Sequence, residues 1–198
     1  MNNLIKVTTL SIMFMVFATI SVVANEKIEP ESFVIFNNEN LVNPDYQLCN
    51  NDNAKHGVRV EKNSNNINQL RWRWARKRNC WCGFGINNFS FIGNDFSKYE
   101  KLYNLVIKLK GSWTRNAPQI KFMDNSKASS KLIRIQKYLN GDPKSPNGAV
   151  VSIPLKDFDL SWSLNINNLE TIQFDAAYES DSGDLIIYEI RIEKNKSR

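Results

Sequence analysis

From Leu70 to the C-terminus the chain is a succession of short segments that alternate apolar and polar residues. They read "LRWRW", "CWCGFGI", "LYNLVIKLK", "PQIKFMD", "KLIRIQKY", "AVVSIPL", "ETIQFDAAY" and "DLIIYEIRI". Side chains of an extended chain point alternately to opposite sides, so a period of two buries one face of each segment and wets the other. The segments are rich in β-branched and aromatic residues, with Gly, Pro and Asn between them, and none sustains a helical period. That pattern predicts an all-β sandwich or barrel. Upstream, "ESFVIFN" is a short apolar run. The stretch from Asn37 to Asn68 is polar, turn-rich and heavy in asparagine, with "GVRVEK" at 57–62 as an alternating segment inside it. "DFSKYEKL" at 95–102 is a candidate for one turn of helix, with Asp95 as its cap.

Phase assigns each side chain to a face. Ile172, Phe174, Ala176 and Tyr178 point one way, and Thr171, Gln173 and Asp175 the other. Ile120 and Phe122 face the core, leaving Gln119, Lys121 and Met123 opposite. Leu70, Trp72 and Trp74 form one row, Arg71 and Arg73 the other. If the apolar rows meet inside the sandwich, one outer face carries Arg, Gln, Lys and Asp in adjacent columns. The stretch "RWRWARKRNCWC" at 71–82 thus splits into strand, turn and strand, a hairpin with its basic residues at 76–78 on the tip.

The N-terminus, "MNNLIKVTTLSIMFMVFATISVVA", has one lysine before an apolar run that ends in small residues, the form of a secretory signal peptide cleaved after Ala24. Residues 25–198 then form a single β-sandwich domain with an irregular Asn-rich N-terminal part, secreted or periplasmic. No second apolar segment of that length follows, so no membrane span is expected after cleavage. The formal charge is +6, and +5 without Lys6. Of Cys49, Cys80 and Cys82, the last two share a face on a strand but lie too far apart to bridge easily, so Cys49 is expected to bond Cys80 or Cys82. His56 is the one histidine and no second ligand pair accompanies it, which disfavours zinc.

Several of these segments also carry a family pattern. "DFSKYEKLYNLVIKLKG", "PQIKFMD", "NGAVVSIPLKDF" and "LNINNLETIQFDAAYESDSGDLIIYEIRI" resemble the galactose-binding-like jelly roll of carbohydrate-binding modules attached to glycoside hydrolases, over residues 70–192. "CWCGFGI" resembles the strand those modules build around a tryptophan and glycines. The resemblance implies an all-β, two-sheet antiparallel jelly-roll β-sandwich that binds a polysaccharide or glycan. Many such modules hold a structural calcium; where their last strand carries paired aspartates, "IIYEIRI" supplies Glu189 alone.

A sugar presents a C–H face and a rim of hydroxyls, so its recognition takes an exposed aromatic plate with amide or charged groups beside it. Trp81 is followed on its own face by Gly83 and Gly85, which leave room beside a ring. Trp113 and Trp162 lie in turn-rich segments, where loops carry function on a rigid scaffold. Arg73, Lys121, Gln173 and Asp175 are the candidate polar cluster. No GxSxG, HExxH or phosphate-loop motif is present, so the chain is read as non-catalytic. A glycan partner is the first reading and nucleic acid is disfavoured in an exported chain of modest charge. The alternative is a secreted protein that docks on another protein or an anionic surface through the basic 71–78 hairpin.

Overall fold

The computed structural model describes residues 32–39, 41–42, 44–47, 57–76, 81–87, 100–160, 164, 169–177 and 182–195. In chain order the strands are β1 (Ser32–Phe36), β2 (Pro44–Gln47), β3 (Gly57–Lys62), β4 (Asn68–Ala75), β5 (Gly83–Asn87) and β6 (Tyr103–Trp113). They continue with β7 (Gln119–Asp124), β8 (Ile133–Arg134), β9 (Leu139–Asn140), β10 (Ala149–Pro154), β11 (Leu169–Asp175) and β12 (Ser182–Lys194). Single turns of 3-10 helix follow β8 and β10. The signal segment 1–24 and residues 95–99 of the anticipated helical turn lie outside the described residues.

Two antiparallel sheets form a sandwich. The first runs β3-β4-β12-β6-β10-β9, the second β2-β5-β11-β7-β8. Strand β12 organises the first sheet. Along one side it pairs with β6 over nearly its whole length; along the other, its first half pairs with β4 and its second half with β1. Its register slips between Ile187 and Glu189, where the neighbour changes.

The phase pattern places the core. Trp72, Trp74, Leu105, Ile107, Leu185, Ile187, Ile190 and Ile192 of the first sheet face Phe84, Ile86, Ile120, Phe122, Ile172 and Phe174 of the second, all buried. An aromatic seam crosses between the sheets. The rings of Trp72 and Trp74 stack at 4.2 Å, Trp72 meets Phe84 edge-on at 5.1 Å, and Phe84 lies parallel to Phe174 at 4.6 Å. Each such pair adds about 0.5–1.5 kcal/mol beyond the area it buries. The ring of Trp74 lies directly over Gly183, its Cα partner on β12, and a Cβ there would collide with the indole.

One expectation fails. β4 and β5 do not make a hairpin: β4 pairs with β3 and β12, while β5 pairs with β2 and β11 in the other sheet. The two segments share an alternating pattern, but each finds its partners far along the chain, so the link between them passes from one sheet to the other. The Asn-rich N-terminal stretch also supplies β2 to the second sheet and β3 to the edge of the first.

Candidate functional site

Register sorts the outward side chains of the second sheet into rows. Asn87, Thr171 and Met123 form one; Gly85, Gln173 and Lys121 the next; Gly83, Asp175, Gln119 and Arg134 the third. Their neighbours along each strand point into the core, so these rows lie on the outer face. Gly83 and Gly85 leave the β5 column without side chains, and Trp81 covers the first of them. A Cβ on Gly83 would stand 2.7 Å from Cζ2 of Trp81 and 2.6 Å from Oδ1 of Asp175.

The ring is fixed there by chemistry. Trp81 Nε1 donates to Asp175 Oδ1 at 2.8 Å, and Gln173 Nε2 donates to the same oxygen at 2.7 Å. Asp175 is only 7% exposed. Burial holds its carboxyl above the usual aspartate range; the hydrogen bond from Gln173, the charge of Lys121, the bond from Trp81 and the charge of Arg76 offset this only in part. Trp81 itself stays 36% exposed. In the neighbouring row Thr171 Oγ1 donates to Asn87 Oδ1 at 2.7 Å. The face therefore offers a hydrogen-bonded aromatic plate, a floor of two glycines, and amide, carboxyl and ammonium groups within one or two strand spacings.

Four of the residues singled out in the sequence thus come together: Trp81, Lys121, Gln173 and Asp175. Arg73 does not join them. It sits on β4, on the outer face of the first sheet, and the outer faces of a sandwich look in opposite directions. There Asp184 Oδ2 accepts from Arg73 Nε at 3.0 Å and from Arg71 Nη2 at 2.5 Å, and Arg71 Nη1 also reaches Glu61. Burial alone would raise the Asp184 pKa, but the hydrogen bonds from Arg71 and Arg73 bring it below the usual value. Trp113 ends strand β6 rather than standing in a loop. It packs half-buried against the core and shares with Arg73 an open cleft of about 460 Å³ at the end of the first sheet.

Trp162, His56, Cys49 and Cys80 lie outside the described residues, and Cys82 is buried in the core. Among the described residues no group of three or more Asp, Glu, His or Cys side chains is placed to hold a metal ion. Nor is any helix among them long and apolar enough to cross a membrane. In the row that holds Asp175, Gln119 and Arg134 were not singled out as site residues from the sequence. Gln119 was legible from the phase of "PQIKFMD"; Arg134 was not, because β8 is two residues long and breaks at once into a 3-10 turn.

The model of the carbohydrate binding domain 30 family matches residues 32–194. A search of the curated proteins found no match. Among solved structures, the family 30 carbohydrate-binding module of a cellulosomal cellulase of Clostridium thermocellum superposes with a TM-score of 0.61 at 15% identity, covering 84% of this chain and 99% of that one. The family 11 module from Clostridium thermocellum, solved in complex with a β-1,3-1,4-mixed-linked tetrasaccharide, gives 0.55 at 14% identity over 84% of this chain and 98% of that one. A β-1,2-glucanase from Parabacteroides distasonis gives 0.60 at 20% identity, covering 83% of this chain but 25% of the enzyme. At these identities the likeness is one of fold, and it is the jelly-roll sandwich that the family resemblance implied.

Proposed function

The chain belongs to the carbohydrate binding domain 30 family and is a carbohydrate-binding domain, and from that premise we propose that it is an exported, non-catalytic one that holds a polysaccharide on the outer face of its second sheet. The sugar's C–H face stacks on Trp81, and its hydroxyls exchange hydrogen bonds with Gln173, Asp175, Lys121 and Gln119. The observation that carries this reading is the indole fixed over Gly83 by its bond to Asp175, in a residue left more than a third exposed. A tryptophan that served only to fill space would be covered. Export is supported by the leader-like residues 1–24 alone.

The alternative, docking on a protein or anionic surface through the basic 71–78 stretch, has less behind it. Arg71 and Arg73 are engaged by Asp184 and Glu61, and Arg76 Nη1 donates to the carbonyl of Ala176 at 2.6 Å, so three of its cations already have partners. Affinity electrophoresis in gels containing a panel of plant, microbial and host polysaccharides, with tryptophan fluorescence as the second readout, tests the proposal. Retardation by at least one polymer together with a shift in fluorescence is the expected result. Silence in both across the panel would refute it.

A further inference from the structure

The charge of this protein is unevenly placed. On the outer face of the first sheet most of the described cations are paired: Arg59, Arg71 and Arg73 with Glu61 and Asp184, and Lys108 and Arg191 with Glu189 and Glu193, while Lys110 donates to the Pro146 carbonyl. At the β8 edge of the second sheet they are not. There an open cleft of about 550 Å³ is lined by Lys131, Arg134, Lys137 and Lys156 against two carboxylates, Asp157 and Asp159. Asp157 is already occupied, since Tyr138 Oη donates to its Oδ2 at 2.7 Å. Lys131, Lys137 and Lys156 make no ion pair among the described residues.

This cleft is continuous with the tryptophan face. Arg134 lines it and also ends the row Gly83–Asp175–Gln119–Arg134. That row crosses four strands, so Trp81 over Gly83 and the guanidinium column are separated by roughly 14 Å at the usual spacing between strands. A chain of a few sugar rings laid across the strands from Trp81 passes Lys121 and Gln119 and arrives among the unpaired lysines. Three lysines that make no ion pair among the described residues, at the exit of a binding face, favour a ligand that supplies negative charge at intervals.

We infer that the ligand is an anionic polysaccharide, with its acidic groups, uronate carboxylates or sulfate esters, seated at the basic cleft beside β8 and a sugar ring on Trp81. The inference rests on the reading of the second sheet's outer face as the glycan site. The test titrates the full chain with polygalacturonate, dextran sulfate, dextran and neutral mixed-linkage β-1,3-1,4-glucan at 50 and 300 mM NaCl, and repeats it with Trp81→Ala and with a Lys137→Glu/Lys156→Glu double variant. Both lysines are exposed and make no ion pair among the described residues, and Lys137 only lies 5.1 Å from the centre of the Tyr138 ring, so the double variant is expected to stay folded with a melting temperature close to wild type. At low salt an anionic polymer binds at least tenfold more tightly than the neutral ones. That advantage falls at least tenfold at 300 mM NaCl and in the double variant, and Trp81→Ala weakens it too. Preference for polygalacturonate over dextran sulfate identifies carboxylate as the acidic group, and the reverse identifies sulfate. Neutral glucan bound through Trp81 and preferred to both anions would overturn the inference while leaving the site intact. Anion binding lost in the double variant but untouched by Trp81→Ala would overturn the site reading and the continuous groove together.

Discussion

Replacing Trp81 by alanine removes the plate and leaves the rest of the face standing, which makes it the most informative single change. The exposed share, 36% of the residue, corresponds to about 90 Å² if a whole indole side chain offers roughly 250 Å². Covered by a sugar ring at about 25 cal/mol per Å², that area contributes about 2 kcal/mol, so Trp81→Ala should weaken binding roughly thirtyfold. Trp81→Phe keeps a flat apolar ring over Gly83 and loses only the N–H that Asp175 accepts, so its affinity should stay within about fivefold of wild type, each tenfold being about 1.4 kcal/mol. Isothermal titration with whichever panel polymer retards the wild-type protein measures both, and thermal melts confirm that each variant is folded. A folded Trp81→Ala protein that binds within twofold of wild type would refute the stacking argument, since Trp81 is the exposed aromatic ring of that face among the described residues.

Two aspartates should respond to acid in opposite ways. Asp175 has a raised carboxyl in the folded state, so the native protein takes up its proton first and stability falls as pH rises from the ordinary aspartate value of about 3.9 through the folded value. Asp175→Asn keeps an oxygen for Trp81 and Gln173 without the buried charge; urea denaturation should find it at least as stable as wild type at pH 7, with the advantage gone below about pH 4. Asp184 has a lowered carboxyl, so its contribution is present above about pH 3.9 and is lost as pH falls through the folded value. Asp184→Asn should therefore cost about 1 kcal/mol at neutral pH, modest because the carboxylate is partly exposed, and nothing near pH 2. Gly183→Ala should cost about 3 kcal/mol, the upper end of overpacking penalties, because the Trp74 ring above it is enclosed; a denaturation midpoint unchanged from wild type would refute the close contact.

What was legible in the sequence was whatever depends on period two. The inward rows of β4, β7 and β11, and the outward set Lys121, Gln173 and Asp175, follow from alternation because a strand with one buried face has a single permitted phase. Sheet membership does not follow from it. Arg73 and Gln173 have equivalent local patterns, and only long-range pairing decides that β4 lies in one sheet and β11 in the other. The same blindness turned β4 and β5 into an expected hairpin. Trp113 looked like a loop residue because Gly111 and Ser112 precede it, yet β6 continues through all three, the glycine being required where the β12 backbone comes close. Arg134 and the basic cleft were invisible for a different reason: the cleft gathers residues from β8 and from two short 3-10 turns some twenty residues apart, with no shared period to link them.

The stacked indoles of Trp72 and Trp74 give this protein an optical signature. Two buried chromophores 4.2 Å apart, their planes turned 23° from parallel, couple their electronic transitions, so the far-ultraviolet circular dichroism should carry an exciton couplet that exists only while β4 is docked. Trp81 sits on the other sheet, open to quenchers and to ligand. Folding and occupancy can therefore be followed separately in one unlabelled sample, the couplet reporting the sandwich and iodide quenching reporting the face.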